Sequence, residues 1–267
     1  MTALETTPIE DYLIGSKKIY VKRDDLFGVY PSPPLGKLRG LQKVITKVIS
    51  EGYKIIGCWD TRVSKLGQGV AAICHRQDGV ESIISYPKKK GEPIPNAIDI
   101  AESLGATIYP IRGNHVGICY AQVRKFVEGK GGYMLPFGLE CAESVDSITS
   151  EFKTIPSALY NNGTIVLSVG SGVTLAGILN GLTDFQGKVI GISSGRSELK
   201  ILSCLRKYCH SVPPFLELIP PIMPYYESSK VNCPFPCHPN YDLKAWEYLI
   251  RNMNSLSGPY LFWNVGA

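Results

Sequence analysis

From about residue 54 onward, the apolar positions of this chain fall into two alternating rhythms. Short runs with β-branched residues, bounded by Gly or Pro, predict strands at Lys54 to Trp59, Glu81 to Tyr86, Thr107 to Ile111 and Tyr133 to Pro136. Between them, apolar residues at helical spacing predict helices at Leu66 to Gln77, Pro95 to Leu104 and His115 to Val127. This alternation marks parallel βαβ units. A helical stretch over Ala142 to Tyr160 leads into a second block, with strands at Thr164 to Val169 and Lys188 to Ser193 and helices at Thr174 to Leu182 and from Ser197. Beyond Pro213 the prolines at 213, 214, 220, 221, 224, 234, 236 and 239 predict irregular loops. Order returns in a helix over Tyr241 to Met253, with Leu243, Trp246 and Leu249/Ile250 on one face, and in a strand over Tyr260 to Val265. The expected fold class is α/β, with two doubly wound, mostly parallel-sheet lobes. The larger takes residues 1–50 plus 150–267, and the smaller, 51–149, is inserted in it.

Composition narrows this picture only a little. The 267 residues are 44% hydrophobic and 19% charged, enough for a sizeable core. Apolar runs such as Gly163 to Val169 are far too short to cross a bilayer, and Met1 to Glu5 lack the basic region and apolar core of a secretion signal. The expectation is a cytoplasmic chain with no membrane partner. Eight cysteines without an export signal read as reduced thiols. Cys204, Cys209, His210, Cys233, Cys237 and His238 have zinc-ligand chemistry, but their spacing does not form two Cys-x2-Cys knuckles, and no metal is expected. The net charge of +5 favours anionic ligands. Lys88-Lys89-Lys90 is the sharpest basic run, either a solvated loop or a meeting point for a polyanion.

Candidate chemistry lies in three turns. Lys37 sits in Leu35-Gly36-Lys37-Leu38-Arg39-Gly40-Leu41, after a proline cluster (Pro31, Pro33, Pro34) and at the start of a helical pattern. A lysine near other cations (Arg39, Lys43) loses its proton more readily, and a neutral amine can attack a carbonyl. The second turn, Ser168-Val169-Gly170-Ser171-Gly172-Val173-Thr174-Leu175-Ala176-Gly177, follows an apolar strand and opens a helix, an arrangement suited to an anion and above all a phosphate. It is neither a Walker loop nor a clean G-x-G-x-x-G. The third, Asp60 to Gly69, occupies the equivalent strand-to-helix turn of the first block. There Ser64 reads as an N-cap, and the amides beside it as a seat for a carboxylate. Ligands of open α/β sheets bind at the carboxyl ends of strands, so the joint expectation is a cleft between lobes with a phosphate on one side and a carboxylate on the other.

Taken in order, these features resemble the fold-type-II pyridoxal-phosphate enzymes of the tryptophan synthase beta-like group. They are Lys22-Arg23-Asp24-Asp25, Gly36-Lys37-Leu38-Arg39, the Ser64 loop, Gly170-Ser171-Gly172-Val173-Thr174-Leu175-Ala176-Gly177 and Tyr241-Asp242-Leu243-Lys244-Ala245. The branch containing 1-aminocyclopropane-1-carboxylate deaminase and D-cysteine desulfhydrase is the most similar. The resemblance implies that Lys37 carries pyridoxal 5'-phosphate as a Schiff base in the cleft between the lobes. It further implies that Gly170, Ser171, Gly172, Val173 and Thr174 hold the phosphate and that Ser64 meets the substrate carboxylate. Tyr241 matches an active-site tyrosine, and Tyr225 or Tyr226 a second. The chain departs from the pattern at three places. Lys65 stands where the family carries an asparagine beside the cofactor's ring oxygen, Val173 replaces a glycine, and at the family's hydroxyl facing the pyridine nitrogen either Asn264 substitutes or that contact is lost. The implied activity is lyase, deaminase or decarboxylase chemistry at the α-carbon of a small amino-acid-like substrate, in a homodimer. One alternative is the same chemistry on an amino-acid group carried by a larger anionic substrate, such as a hypermodified DNA base. Another is an inactive protein that keeps the fold.

Overall fold

A computed structural model describes residues 6–28, 34–113 and 115–266. Pro31 and Pro33 of the proline cluster, and Met1 to Glu5, lie outside the described residues. The strands are β1 (Ile9–Ile14), β2 (Lys17–Arg23), β3 (Ile55–Trp59), β4 (Glu81–Ser85), β5 (Thr107–Ile108), β6 (Tyr133–Met134), β7 (Thr164–Val169), β8 (Lys188–Ser193), β9 (Leu216–Ile219) and β10 (Tyr260–Asn264). The helices are α1 (Leu38–Ser50), α2 (Leu66–Cys74), α3 (Asn96–Ser103), α4 (Val116–Glu128), α5 (Ala142–Phe152), α6 (Val173–Gly181), α7 (Glu198–Tyr208) and α8 (Asp242–Asn252). The chain divides into two compact units, a smaller one built on Lys37–Leu139 and a larger one holding described residues 6–27, 34–36 and 140–266.

The larger unit is a six-stranded sheet in the order β1-β2-β10-β7-β8-β9, parallel except for the β1–β2 hairpin. Its central parallel strands β10, β7 and β8 are buried on both faces, as near-continuous apolar runs require. On β7, Ile165, Leu167 and Val169 face a core with Ile148 and Phe152 of α5 and Ile178 of α6. Val166 faces the opposite core, where Trp246 and Leu249 of α8 pack on Phe262. The expected apolar face of the 241–253 helix is the face that is buried. Gly177 lets α5 and α6 close, because a Cβ there would lie 2.5 Å from Ile148 Cβ and 2.9 Å from the Val145 carbonyl.

The Lys-Arg-Asp-Asp segment is a buried charge network. Lys22 pairs with Glu151 at 2.5 Å and donates to the Thr7 carbonyl, and Arg23 grips Asp25 through two bonds of 2.9 and 2.8 Å. The smaller unit is a four-stranded parallel sheet, β5-β4-β3-β6. Ile55, Gly57 and Trp59 face α4, and the absent side chain of Gly57 makes room for Val127.

Four local expectations need correction. The helix from Ala142 ends at Phe152 rather than Tyr160, because Pro156 cannot continue it. The Thr107 to Ile111 strand is two residues long, and past Pro110 only Ile111 bridges, to Pro87. Within the proline-rich stretch, Leu216–Ile219 is an edge strand framed by Pro213-Pro214 and Pro220-Pro221. The sequence before residue 17 also holds a strand, β1, joined to β2 by the two-residue loop Gly15-Ser16.

Candidate active site

In the smaller unit, Lys37 is half-buried at the N-terminus of α1, and its carbonyl accepts the Leu41 amide at 3.1 Å. Its charge reaches two groups of that unit, Cys58 and Asp60. Burial pushes the Cys58 thiol well up, and the nearby lysine charge opposes that shift. Lys37 thus stands at the carboxyl end of β3. The backbone immediately before it is pinned in the larger unit. There the Gly36 amide donates to the Val265 carbonyl at 2.9 Å, and a Cβ on Gly36 would run into the Asp24 carboxylate.

The Asp60–Gly69 turn is organised by Asp60, a residue that sequence reasoning missed. Its buried carboxylate accepts the Thr61 amide at 2.8 Å and the Gly67 amide at 2.6 Å, while its own amide donates to the Ser85 carbonyl at 2.7 Å. Burial raises the Asp60 pKa, and the hydrogen bond from Ser64 and those from the Gly67 and Thr61 amides act against the rise. The N-cap of α2 is Lys65, not Ser64. Ser64 Oγ accepts the Leu66 amide at 3.2 Å. Two amides expected to receive a carboxylate, those of Leu66 and Gly67, therefore have partners inside the turn. Lys65 is half-buried, and desolvation lowers its pKa.

In the larger unit, three strand ends converge on one edge of the sheet. After β7, Gly172 takes φ +99° at the N-cap of α6, with no side-chain cap, so the first turn of α6 opens through a glycine-bounded loop. A Cβ on Gly170 would meet nothing within 4 Å, and Ser171 and Thr174 are half-buried beside it. Val173 is a correction of degree: its side chain belongs to the core, leaving only its backbone at the loop. After β8, Arg196 braces the loop, donating to the Ser171 carbonyl at 3.2 Å and pairing with Glu140 at 3.1 Å. Arg196 was also missed, although Ser193-Ser194-Gly195-Arg196 has the glycine of a tight turn after a strand. At the end of β10, Asn264 is fully buried. Its Nδ2 donates to the Pro236 carbonyl at 2.8 Å, and its Oδ1 accepts no hydrogen bond from the described residues.

The Tyr241-Asp242-Leu243-Lys244-Ala245 segment fixes two tyrosines. The hydroxyls of Tyr225 and Tyr241 hydrogen-bond each other, with ring centroids 5.7 Å apart in an edge-on arrangement. Tyr225 packs beside Gly195, and buried Lys244 holds the turn before it by donating to the Pro224 carbonyl at 2.7 Å. Tyr226 is 78% exposed, so the structure brings Tyr225, not Tyr226, to Tyr241. The cysteines separate: Cys204 and Cys209 lie in the core on one face of the sheet, and Cys233 and Cys237 pack against the core on the other. Among the described residues, no group of three or more His, Cys, Asp or Glu is arranged to hold a metal.

No family model matches the chain. A glycyl-dTMP PLP-dependent decarboxylase of Pseudomonas phage M6 is 29% identical over 283 residues, covering 98% of this chain and 99% of that protein. A solved ACC deaminase homologue superposes with a TM-score of 0.83 at 20% identity, covering 98% of this chain and 89% of its own. An O-acetylserine dependent cystathionine beta-synthase from Helicobacter pylori is also similar, with a TM-score of 0.68 at 16% identity, over 98% of this chain and 94% of its own. The fold is that of the fold-type-II pyridoxal-phosphate enzymes. In this fold-type-II chain the glycine turn after β7 and the strand end at Asn264 lie on neighbouring parallel strands. Trp263 pairs with Leu167, so Asn264 sits one residue further along, beside the start of the turn. No helix among the described residues is long and apolar enough to cross a membrane.

Proposed function

We propose that this protein is a pyridoxal-phosphate-dependent enzyme that removes a substituent from the α-carbon of an amino-acid group. The observation that carries the reading is the edge of the larger sheet, where the α6 N-terminus has no side-chain cap and the buried Asn264 Oδ1 accepts no hydrogen bond from the described residues. Both match complementary parts of one cofactor. The backbone of Gly170 to Thr174, with the hydroxyls of Ser171 and Thr174, would hold its phosphate, and Arg196 would stiffen that loop. Asn264 Oδ1 would accept a hydrogen bond from a protonated ring nitrogen. Lys37 would hold the cofactor through its amine.

When bound, the cofactor supplies an electron sink for charge left on the substrate's α-carbon. Lys37 would then deliver or remove the proton at that carbon. The Tyr225–Tyr241 hydroxyl pair would orient the reacting group, and Ser64 would position the substrate carboxylate by turning its hydroxyl proton from Asp60 to it.

The phage relative favours a narrower reading, decarboxylation of a glycyl group borne by a thymidine nucleotide. In that reaction the bond from the α-carbon to the carboxylate breaks, its electron pair stays on the carbon, carbon dioxide leaves, and a proton from Lys37 takes its place. The test has two steps. Borohydride reduction of the cofactor-loaded protein should fix the cofactor on the peptide containing Lys37, and Lys37→Ala should abolish that label. A label that persists, for instance on Lys65, overturns the assignment. Glycyl-modified thymidine nucleotide should then release carbon dioxide, while release of ammonia would point to deamination instead.

A further inference from the structure

The smaller unit holds a cavity of about 600 Å³ that none of the chemistry above uses. It is lined by Trp59, Pro87, Lys88 to Lys90, Arg112, Gly113, Val116 and Cys119. Three features give it one electrostatic character. Four of its lining side chains, Lys88, Lys89, Lys90 and Arg112, are exposed cations, and no carboxylate lines it among the described residues. Lys89 pairs with Glu92 at 3.2 Å, whereas Lys88, Lys90 and Arg112 make no ion pair among the described residues. The first residue of α4, Val116, lies in the lining, and the N-cap of this 13-residue helix has no side-chain cap, so its positive end opens there.

The third feature lies in the wall. Trp59 is 3% exposed, and its Nε1–H is buried with no acceptor among the described residues. A donor buried without an acceptor costs free energy, and it is the ring of Trp59 that lines the cavity. Beside it, Pro87, Val116 and Cys119 offer an apolar wall for a flat ring. The basic loop is also held in place: Lys88 N donates to the Ile111 carbonyl at 2.9 Å, and Arg62 pairs with Glu92 at 2.9 Å and donates to the Pro93 carbonyl at 2.6 Å. Arg62 belongs to the Asp60–Gly69 turn, so the cavity and that turn share the carboxyl end of β3.

We propose that this cavity is the seat for the phosphate-bearing nucleotide to which the reacting amino-acid group is attached. The Lys88–Lys90 loop, Arg112 and the α4 N-terminus receive phosphate, and Trp59 and its apolar neighbours receive the base. The nucleotide's identity rests on the reading above, whereas the anion site rests on the cavity alone.

The experiment uses the full chain loaded with cofactor and three probes: inorganic phosphate, thymidine 5'-monophosphate and a short single-stranded thymidine oligonucleotide. Binding is compared for the parent and for K88Q/K89Q/K90Q, whose sites are exposed, and cofactor trapping on Lys37 is read in the same samples. The triple variant should bind oligonucleotide or mononucleotide at least tenfold more weakly, with unchanged cofactor trapping. Trp59→Phe should weaken the mononucleotide several-fold. Oligonucleotide much tighter than mononucleotide identifies a polymer-borne substrate, and equal affinity identifies the free nucleotide. Parent protein that binds none of the probes, or a triple variant that binds as tightly as the parent, overturns the proposal even where cofactor trapping succeeds. If trapping fails while nucleotide binding follows the lysines, the cofactor reading falls and the anion site stands.

Discussion

Lys22 and Glu151 bring opposite charges to 2.5 Å with side chains 1% and 2% exposed, and the pair ties β2 to α5. Glu151→Gln leaves the ammonium buried without its counter-charge, which should cost about 3–5 kcal/mol, read as a drop in urea midpoint. Replacing both partners by Met and Leu should recover most of that loss. Asn264 is the corresponding test of the site. Asn264→Leu keeps the volume and removes the acceptor, and the lost bond to a charged nitrogen, about 1.5–3 kcal/mol, should weaken cofactor binding roughly tenfold to a hundredfold. Thermal stability of the cofactor-free protein separates that effect from simple unfolding. Lys65 carries a pH signature. Its folded pKa lies below the unfolded one, so between the two values the unfolded chain binds more protons and stability rises with pH. Lys65→Met should remove that alkaline rise, and an unchanged profile would show that Lys65 is not its source. At this scale Lys37 was legible as a residue in a turn, while Asp60, Arg196 and the orphaned oxygen of Asn264 were not. The meaning of Asp60 lies in its burial, that of Arg196 in a partner far along the chain, and that of the Asn264 oxygen in accepting no hydrogen bond from the described residues, none of which a local pattern records.

Elements were legible where periodicity and punctuation agreed. The β7-turn-α6 passage reads directly because an all-buried apolar run meets Gly170 and Gly172 before a helical rhythm. The motif's far end reads differently in three dimensions: Gly177 serves helix packing and not a ligand. Gly177→Val should therefore push α6 away from Ile148 and cost about 1–3 kcal/mol, with cofactor binding intact in the folded fraction. Weak cofactor binding without loss of stability would contradict that division of labour. The missed elements, β1 and β9, are edge strands, half-exposed and rich in charge or flanked by proline. Edge positions do not need the uninterrupted apolar run that marks the interior strands, so their signal is faint.

For the molecule as a whole, the net charge of +5 is too small to steer it onto nucleic acid by itself. What matters is where the charge gathers, and the sequence showed only the Lys88–Lys90 run, not the arginine, the tryptophan and the helix end that the fold brings to it. If three or four cations of that cavity each displace a counterion from single-stranded DNA, the logarithm of the binding constant should fall with the logarithm of salt at a slope of about −2 to −3. A fourfold rise in salt should then weaken binding roughly 20-fold to 50-fold, and K88Q/K89Q/K90Q should flatten the slope to that of a single contact. Lys89 must leave Glu92 to take part, so Glu92→Gln should tighten binding at low salt. A slope near zero in the parent would mean that the ring-lined wall, and not the cations, holds the nucleotide. A steep slope that survives the triple substitution would place the contacts on another surface.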